Sequence, residues 1–245
     1  MKVALIGDVH GNLPALEAVL ADVARRRIAT VWNIGDFVGY GAFPDEVVRR
    51  LRQPHIVSIA GNYDLKALKF PKKRKKWKKK KRAEKWLAFK WAYEHLSEES
   101  RRFLRSLPED VRLEAEGRRI LLTHASPAAN DEHLGPDTPD ERLRELAAMA
   151  GADVVVFGHS HRPFVRQIGD VWFINTGSVG RPEDGDPRAC YATLAITPRS
   201  LRVAHHRVAF DVDRAANALR EHGLPEAFAQ MVLQGRNLDT ILDGQ

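Results

Sequence analysis

The chain has 245 residues, of which 44% are hydrophobic, and its formal net charge is +7 at pH 7. This length and composition are typical of a globular domain with a sizeable core, and they exclude a disordered or collagen-like chain. The only cysteine, Cys190, excludes a disulfide within the chain and is consistent with a reducing compartment.

Short apolar or β-branched runs alternate with helical patterns along the chain. In chain order we predict a strand at 3–6, a helix at 13–26, a strand at 30–34, a helix at 44–53, a strand at 56–60, a helix at 83–95, a strand at 120–123, a helix at 138–150, strands at 154–157 and 171–174, and helices at 211–223 and 224–233. In the helix at 138–150, Thr138 is the predicted N-cap, Pro139 suits the first turn and Glu141 follows three residues on.

Polar motifs follow the ends of five predicted strands. They read GDVHG at 7–11, NIGDFVGYG at 33–41, GNYD at 61–64, THA at 123–125 and GHSH at 158–161. Ligands of open α/β sheets gather outside the carboxyl ends of the strands, so loops that are distant in sequence can converge on one crevice. We therefore expect these motifs to form one site.

The motifs supply a mixed set of oxygen and nitrogen ligands without cysteine, which suits divalent ions. The candidate ligands are Asp8, His10, Asp36, Asn62, His124, His159 and His161. The set is too large for one ion, whereas a bridging carboxylate can hold two ions roughly 3.5–4 Å apart. We predict a binuclear centre, with manganese as the expected metal and iron, zinc, nickel or cobalt as alternatives. Each motif alone is also typical of a turn or helix cap, but the ordered series favours metal.

The ordered motifs resemble the calcineurin-like metallophosphoesterase family, in particular its small bacterial and archaeal phosphodiesterase-like branch. The family signature is Asp-x-His, Gly-Asp, Gly-Asn-His-Asp or Glu, a lone His and Gly-His-x-His, and the resemblance covers nearly the whole chain. It implies the metallo-dependent phosphatase fold, a four-layer αββα sandwich of two mixed β-sheets flanked by helices. It also implies that the first ion is held by Asp8, His10 and His161, the second by Asn62, His124 and His159, and that Asp36 bridges them.

The resemblance implies phosphoester hydrolysis by in-line attack of a metal-bridging hydroxide, without a protein nucleophile. Beside the ligands Asp36 and Asn62, we include Tyr63 and Asp64 among the catalytic candidates. Asp64 is expected to accept hydrogen bonds from neighbouring loops, with a simple turn role as the alternative.

Tyr63 departs from the family pattern, because many members carry at this position a histidine that is a proposed general acid. A tyrosine, whose ordinary pKa is about 10, donates hydrogen bonds but is a weaker proton source at neutral pH. Tyr63 either contacts the substrate or merely packs. His133 is a candidate replacement for the missing acid, with a solvated loop histidine as the alternative. Arg181 follows a turn at 175–180 that resembles an Asn-x-Gly-Ser-x-Gly turn of small family members. We take Arg181, with Tyr63 and Asn62, as a candidate substrate contact, and surface solvation as the alternative for Arg181.

The segment 72–82 contains ten basic residues among eleven, interrupted only by Trp77. So dense a block of like charge predicts an extended, mobile loop unless a polyanion binds it. Its lysines would neutralise phosphates, and Trp77, Trp86 and Trp91 would offer stacking faces for bases, so nucleotides or nucleic acids are candidate partners through Lys72 to Arg82. The alternative is a solvated loop and tryptophans that pack between helices.

We therefore predict one metallophosphoesterase domain over 1–245, with an insertion at 66–108 that contains the Lys-rich loop 72–82 and helices near the site. The predicted function is a binuclear metal-dependent phosphoesterase that prefers diesters. The enzymatic alternative is a phosphomonoesterase or dinucleoside polyphosphate hydrolase. The alternative of another class is an interaction scaffold or nucleic-acid binder of the same fold.

No apolar run reaches transmembrane length and Met1-Lys2 leads directly into the first strand, so we expect a cytoplasmic protein without membrane contact. The sequence leaves the oligomeric state open.

Overall fold

The computed structural model describes residues 1–244, which form ten strands and nine helices. The strands are β1 (Lys2–Ile6), β2 (Thr30–Asn33), β3 (Ile56–Ser58), β4 (Asp110–Ala115), β5 (Arg118–Thr123), β6 (Val154–Phe157), β7 (Phe164–Ile168), β8 (Val171–Asn175), β9 (Ala189–Ile196) and β10 (Leu201–Val208). The helices are α1 (Leu13–Arg25), α2 (Pro44–Leu51), α3 (Asn62–Lys80), α4 (Ala83–Glu94), α5 (Glu98–Ser106), α6 (Asp140–Ala150), α7 (Val212–Glu221), α8 (Glu226–Gln234) and α9 (Leu238–Asp243).

The strands form two mixed five-stranded sheets. The first has the order β10-β9-β1-β2-β3, in which β1, β2 and β3 are parallel and β9 and β10 are antiparallel to their neighbours. The second has the order β4-β5-β6-β8-β7, in which β5, β6 and β8 are parallel and the two edge strands are antiparallel. The parallel strands of each sheet therefore bring their carboxyl ends to one edge.

Side chains alternate between the two faces of each sheet and so define the layers. On β1, Val3 and Leu5 belong to the core between the sheets, whereas Ala4 and Ile6 pack in the core that includes residues of α1 and α2. Helix α6 covers the outer face of the second sheet. The arrangement confirms the predicted sandwich of two mixed sheets flanked by helices. Among residues 1–244, no helix is both long and apolar enough to span a membrane.

All twelve predicted elements are present, with ends that shift by a few residues at most. The prediction that Thr138 is the N-cap is wrong, because α6 begins at Asp140 and Pro139 occupies the cap position. The Thr138 hydroxyl instead accepts a hydrogen bond from the Gly135 amide at 2.8 Å. It therefore stabilises the preceding turn rather than the helix.

The prediction of a Lys-rich loop at 72–82 is also wrong. Helix α3 starts at Asn62 and continues through Pro71 to Lys80, so most of the basic run is helical. Only Lys81 and Arg82 lie between α3 and α4. The basic residues are nonetheless exposed, except for the partly buried Lys81.

Packing against α4 explains why the helix persists despite its charge. The ring of Phe70 lies 5.5 Å from that of Trp86, and the ring of Trp77 lies 5.3 Å from that of Phe89. Trp86 Nε1 also donates a hydrogen bond to the Arg74 carbonyl at 3.0 Å. In addition, lysines near the carboxyl end of a helix interact favourably with its dipole. These contacts favour the packing alternative for Trp77 and Trp86 over base stacking.

Candidate metal centre

The five sequence motifs meet where the carboxyl ends of the parallel strands of the two sheets approach each other. Backbone hydrogen bonds join their loops, from the Asp8 amide to the Gly35 carbonyl at 3.0 Å and from the Gly158 amide to the His124 carbonyl at 2.9 Å. Two groups of side chains result, in each of which the candidate ligand atoms lie within 4.8 Å of one another. One group contains Asp8, His10 and His161, and the other contains Asp36, His124 and His159.

Asp36 lies between the two groups. Its Oδ2 atom is 3.6 Å from Nε2 of His10 in one group and 3.4 Å from Nε2 of His124 in the other. Asn62, the first residue of α3, approaches the second group, with its Nδ2 atom 3.0 Å from Nδ1 of His159. The structure therefore brings together all seven predicted ligands.

Backbone carbonyls orient three of the imidazoles. The pairs are His10 Nδ1 with Val38 O at 3.2 Å, His124 Nδ1 with Ile34 O at 2.8 Å, and His161 Nδ1 with Arg181 O at 2.7 Å. A carbonyl can only accept, so Nδ1 carries the proton in each pair, and Nε2 has a free lone pair whenever the ring is neutral. This is the orientation by which outer contacts prepare histidines for a metal.

Several polar atoms of the two groups are buried without a hydrogen-bond partner among residues 1–244. They are Asp8 Oδ1, Asp36 Oδ2, Asn62 Oδ1 and His124 Nε2. A buried polar atom without a partner is costly and calls for an explanation such as an ion. Because all four atoms are potential metal ligands and each group contains at least one of them, the donor set fits two divalent cations.

Backbone strain concentrates in the same loops. Asp8, His10, Asp36, His159 and His161 have φ angles between 50° and 63°, a left-handed conformation that side chains other than glycine rarely adopt. Each such residue costs about 1 kcal/mol or more, and such strain clusters at functional sites. The strain therefore supports a site role for residues that sequence motifs had singled out independently.

Asp64 holds two of these loops together. Its Oδ2 atom accepts hydrogen bonds from the amides of Asp36 and Gly61, both at 2.9 Å, and its Oδ1 atom accepts one from the Val38 amide at 3.2 Å. Burial, with the nearby Asp36 charge, raises the pKa of Asp64 to about 8. These contacts are those expected of a residue that supports the ligand loops.

The imidazoles divide into two electrostatic classes. Burial lowers the pKa of His10 to about 3 and that of His159 to about 4, so both are neutral at pH 7. Burial alone would also lower the pKa of His124 and His161, but neighbouring carboxylates raise both to about 9. Metal binding requires the neutral ring, so cations would displace protons from these last two side chains.

Tyr63 lies beside the first group. Its ring is 5.1 Å from the ring of His10, and its hydroxyl is 2.9 Å from the hydroxyl of Tyr40. Burial and the neighbouring Tyr40 raise the pKa of Tyr63 well above its ordinary value. Tyr63 thus both packs and keeps a hydroxyl near the centre.

Arg181 also lies at the centre, held by two residues that the sequence motifs did not identify. Its guanidinium is 4.3 Å from the Tyr40 ring centroid and 2.5 Å from Oε1 of Glu183. Tyr40 could have been identified as the residue between two glycines of the second motif, whereas Glu183 carries no motif signal. The predicted alternative of surface solvation is wrong, because only 11% of the Arg181 side chain is exposed.

Two other sequence candidates differ in position. His133 is exposed, and its ring lies 6.4 Å from that of His159. Trp91 stacks on His95 within α4 and its cap, with ring centroids 3.5 Å apart. His133 therefore borders the second group, whereas Trp91 is engaged in packing.

The sequence model of the calcineurin-like phosphoesterase superfamily domain matches residues 1–199. The chain belongs to this superfamily. Its relatives include an uncharacterised protein of Methanocaldococcus jannaschii, 32% identical over 96% of this chain and 98% of the relative, and phosphodiesterase YfcE of Escherichia coli, 28% identical over 79% of this chain and 87% of the relative. The crystal structure of a metallophosphoesterase from Sphaerobacter thermophilus is similar, with 28% identity, a TM-score of 0.78 and coverage of 96% of this chain and 99% of that one.

Membership of the calcineurin-like superfamily agrees with the geometry of the centre. The family is that of binuclear metal-dependent phosphoesterases, and this member presents two groups of histidine and aspartate side chains that fit metal ions. The fold, the family and the two groups thus point to the same class of chemistry.

Proposed function

We propose that the protein is a binuclear metal-dependent phosphoesterase whose preferred substrates are phosphodiesters. The observation that carries this proposal is the cluster of seven side chains in which four potential ligand atoms are buried without partners. Membership of the phosphoesterase superfamily supports the same reaction class. The complete set of candidate ligands argues against the alternative of a scaffold that has lost catalytic activity.

Within this proposal each group of side chains holds one ion. Asp8, His10 and His161 take the first, Asn62, His124 and His159 take the second, and Asp36 contributes to both. Bound divalent cations would lower the pKa of water and neutralise the charge of phosphoryl oxygens. We expect manganese, which carboxylate oxygens suit, with iron, zinc and nickel as alternatives because imidazoles suit them.

Tyr63 and Arg181 support the preference for diesters. With its pKa raised, the Tyr63 hydroxyl can donate a hydrogen bond to a phosphate oxygen but is a poor proton source for a leaving group. The buried Arg181 guanidinium adds a fixed positive charge beside the centre. The relative in Escherichia coli is named a phosphodiesterase, which is consistent with this choice.

The first experiment compares hydrolysis of a chromogenic phosphodiester and its monoester by chelator-treated protein reloaded with manganese. We expect diester cleavage that requires metal and falls about a hundredfold to a thousandfold in Asp36→Asn, the scale of losing one electrostatic contact at a reacting centre. Asp170→Asn, on the exposed turn between β7 and β8, is the matched control and should retain full activity.

The substrate profile decides between the alternatives. Cleavage of the monoester alone would replace the diester proposal with a phosphomonoesterase. Metal-replete protein that cleaves neither compound nor any other diester would favour the scaffold or nucleic-acid binder.

A further inference from the structure

Helix α3 connects the metal centre to the basic segment in one continuous element. Its first residue, Asn62, approaches the second ligand group, and its last turn contains Lys78, Lys79 and Lys80. An α-helix rises about 1.5 Å per residue, so Lys80 lies about 27 Å along the axis from Asn62. The basic end of the helix is thus an extension of the site rather than a separate tail.

The lysines of α3 include a row on one face of the helix that begins beside the centre. We call this row the lysine stripe, and it consists of Lys66, Lys69, Lys73, Lys76 and Lys80. At about 100° per residue, these positions lie within about 40° of the angular position of Asn62. Successive members are three or four residues apart, so a positive charge recurs roughly every 5 Å along one face.

The lysine stripe is available to a ligand. Lys66 is partly buried, with Nζ 5.4 Å from the ring centroid of Tyr63 beside the centre, and the other four members are exposed. Within residues 1–244, none of the lysines at 66–81 forms an ion pair, although Arg82 and Lys85 pair with Asp239 directly beyond them. The unpaired positive charges of the row repel one another in the free protein, and a bound polyanion would reduce that repulsion.

We propose that the lysine stripe binds the backbone of a single-stranded nucleic acid and leads it to the metal centre. One row of cations along one face of a helix matches one phosphate backbone. The tryptophans nearest the stripe are engaged in packing α3 against α4, so recognition depends on phosphates and is independent of base sequence. The inference rests on the proposed function, because the metal centre would then cleave a phosphodiester bond of the bound strand.

The length of the helix sets the size of the bound segment. About 27 Å corresponds to roughly eight nucleotides at the 3.4 Å rise per nucleotide of a stacked strand. Affinity should therefore increase from a tetranucleotide to an octanucleotide and increase little beyond it.

The test is binding of fluorescein-labelled oligothymidylates to protein in chelator, followed by fluorescence anisotropy at several salt concentrations. The chain offers a matched pair of triple variants on the same helix. Lys69→Gln, Lys73→Gln and Lys76→Gln remove three charges from the stripe, whereas Lys72→Gln, Lys75→Gln and Lys79→Gln remove three exposed charges that lie about 80–140° away around the helix. Glutamine preserves helix propensity, and circular dichroism checks that both variants fold.

We expect the stripe variant to lose affinity about a hundredfold near 0.1 M salt, with a salt slope reduced by about 2, since each single-strand phosphate contact contributes about 0.7. The variant on the other face should lose less than about tenfold. Equal losses in both variants, or no binding by the wild-type protein at low salt, would overturn the proposal. Equally, binding to phosphatidylserine vesicles without binding to oligonucleotides would assign the stripe to a membrane surface instead.

Failure of this inference and failure of the proposed function remain distinguishable. If only the inference fails, the wild-type protein hydrolyses the small chromogenic diester but does not bind the oligonucleotide. If only the chemistry fails, the oligonucleotide binds in chelator and the stripe variant weakens it, while no diester is cleaved.

Discussion

The charged groups at the two ends of α3 lie in opposite environments, buried at the amino end and exposed at the carboxyl end. At its amino end, the Asp36 carboxylate is buried, with Nε2 of His124 3.4 Å away and the Tyr63 amide donating a hydrogen bond to it at 2.7 Å. At its carboxyl end, the lysines are exposed and form no ion pair within residues 1–244. A buried charge must have partners because desolvation is costly, whereas an exposed charge in water needs none. Changes at the first end should therefore affect structure and chemistry, and changes at the second should affect long-range attraction.

The largest effect is expected from Gly61→Ala, at the junction between the centre and α3. A Cβ atom on Gly61 would lie 2.2 Å from the Asp36 amide nitrogen and from Asp36 Oδ1, so the backbone must shift. We expect loss of at least one bound metal per chain and a fall of about a thousandfold in diester hydrolysis. Metal content after gel filtration and the chromogenic assay measure both.

Gly169→Ala is the control for this variant. Gly169 has a φ of +57°, but a Cβ atom there meets nothing within 4 Å. The Gly169→Ala substitution should lower the free energy of unfolding by about 1 kcal/mol and leave metal content and activity unchanged. Similar activity losses in both variants would contradict a specific effect on the centre.

The largely buried pair of Arg181 and Glu183 tests how strictly a charge with little exposure to water requires a partner. We expect Arg181→Gln to lower the free energy of unfolding by roughly 3 kcal/mol, because it leaves Glu183 without its main partner. The double variant that also carries Glu183→Gln should recover part of this loss. Thermal unfolding of chelator-treated protein measures both.

Arg119→Gln is the exposed counterpart, since Arg119 pairs with Asp153 at 2.7 Å and two thirds of its side chain is exposed. Its expected cost is below about 1 kcal/mol. Equal losses from Arg181→Gln and Arg119→Gln would break the distinction between buried and exposed pairs.

The smallest effect is expected at the basic end. Replacement of Lys72, Lys75 and Lys79 by glutamine removes like charges three and four residues apart, each pair of which destabilises a helix by a few tenths of a kcal/mol. The melting temperature should rise by up to a few degrees at low salt, and the gain should vanish at about 0.5 M salt because the repulsion is then screened. A lower melting temperature would show that these lysines stabilise the folded state.

The sequence by itself predicted which side chains meet in the candidate centre, and it predicted most of the framework. Every candidate ligand side chain lies in a loop that follows a buried strand, and parallel strands bring their carboxyl ends to one edge, so convergence follows from local pattern alone. The short apolar runs predicted six strands, and the helical patterns predicted six helices. Edge strands such as β4 and β10 were not predicted, because their burial is mixed and their pairing depends on distant neighbours.

Only the tertiary structure decided the conformation of the basic segment and the partners of Arg181. Charge density predicted an extended loop, but contacts of Phe70 and Trp77 with α4 keep the segment helical. Likewise, nothing local to Arg181 indicates that Tyr40, which is far away in sequence, lies against its guanidinium. Local pattern reports what a residue can do, whereas packing between distant elements decides which of those possibilities has the lowest free energy.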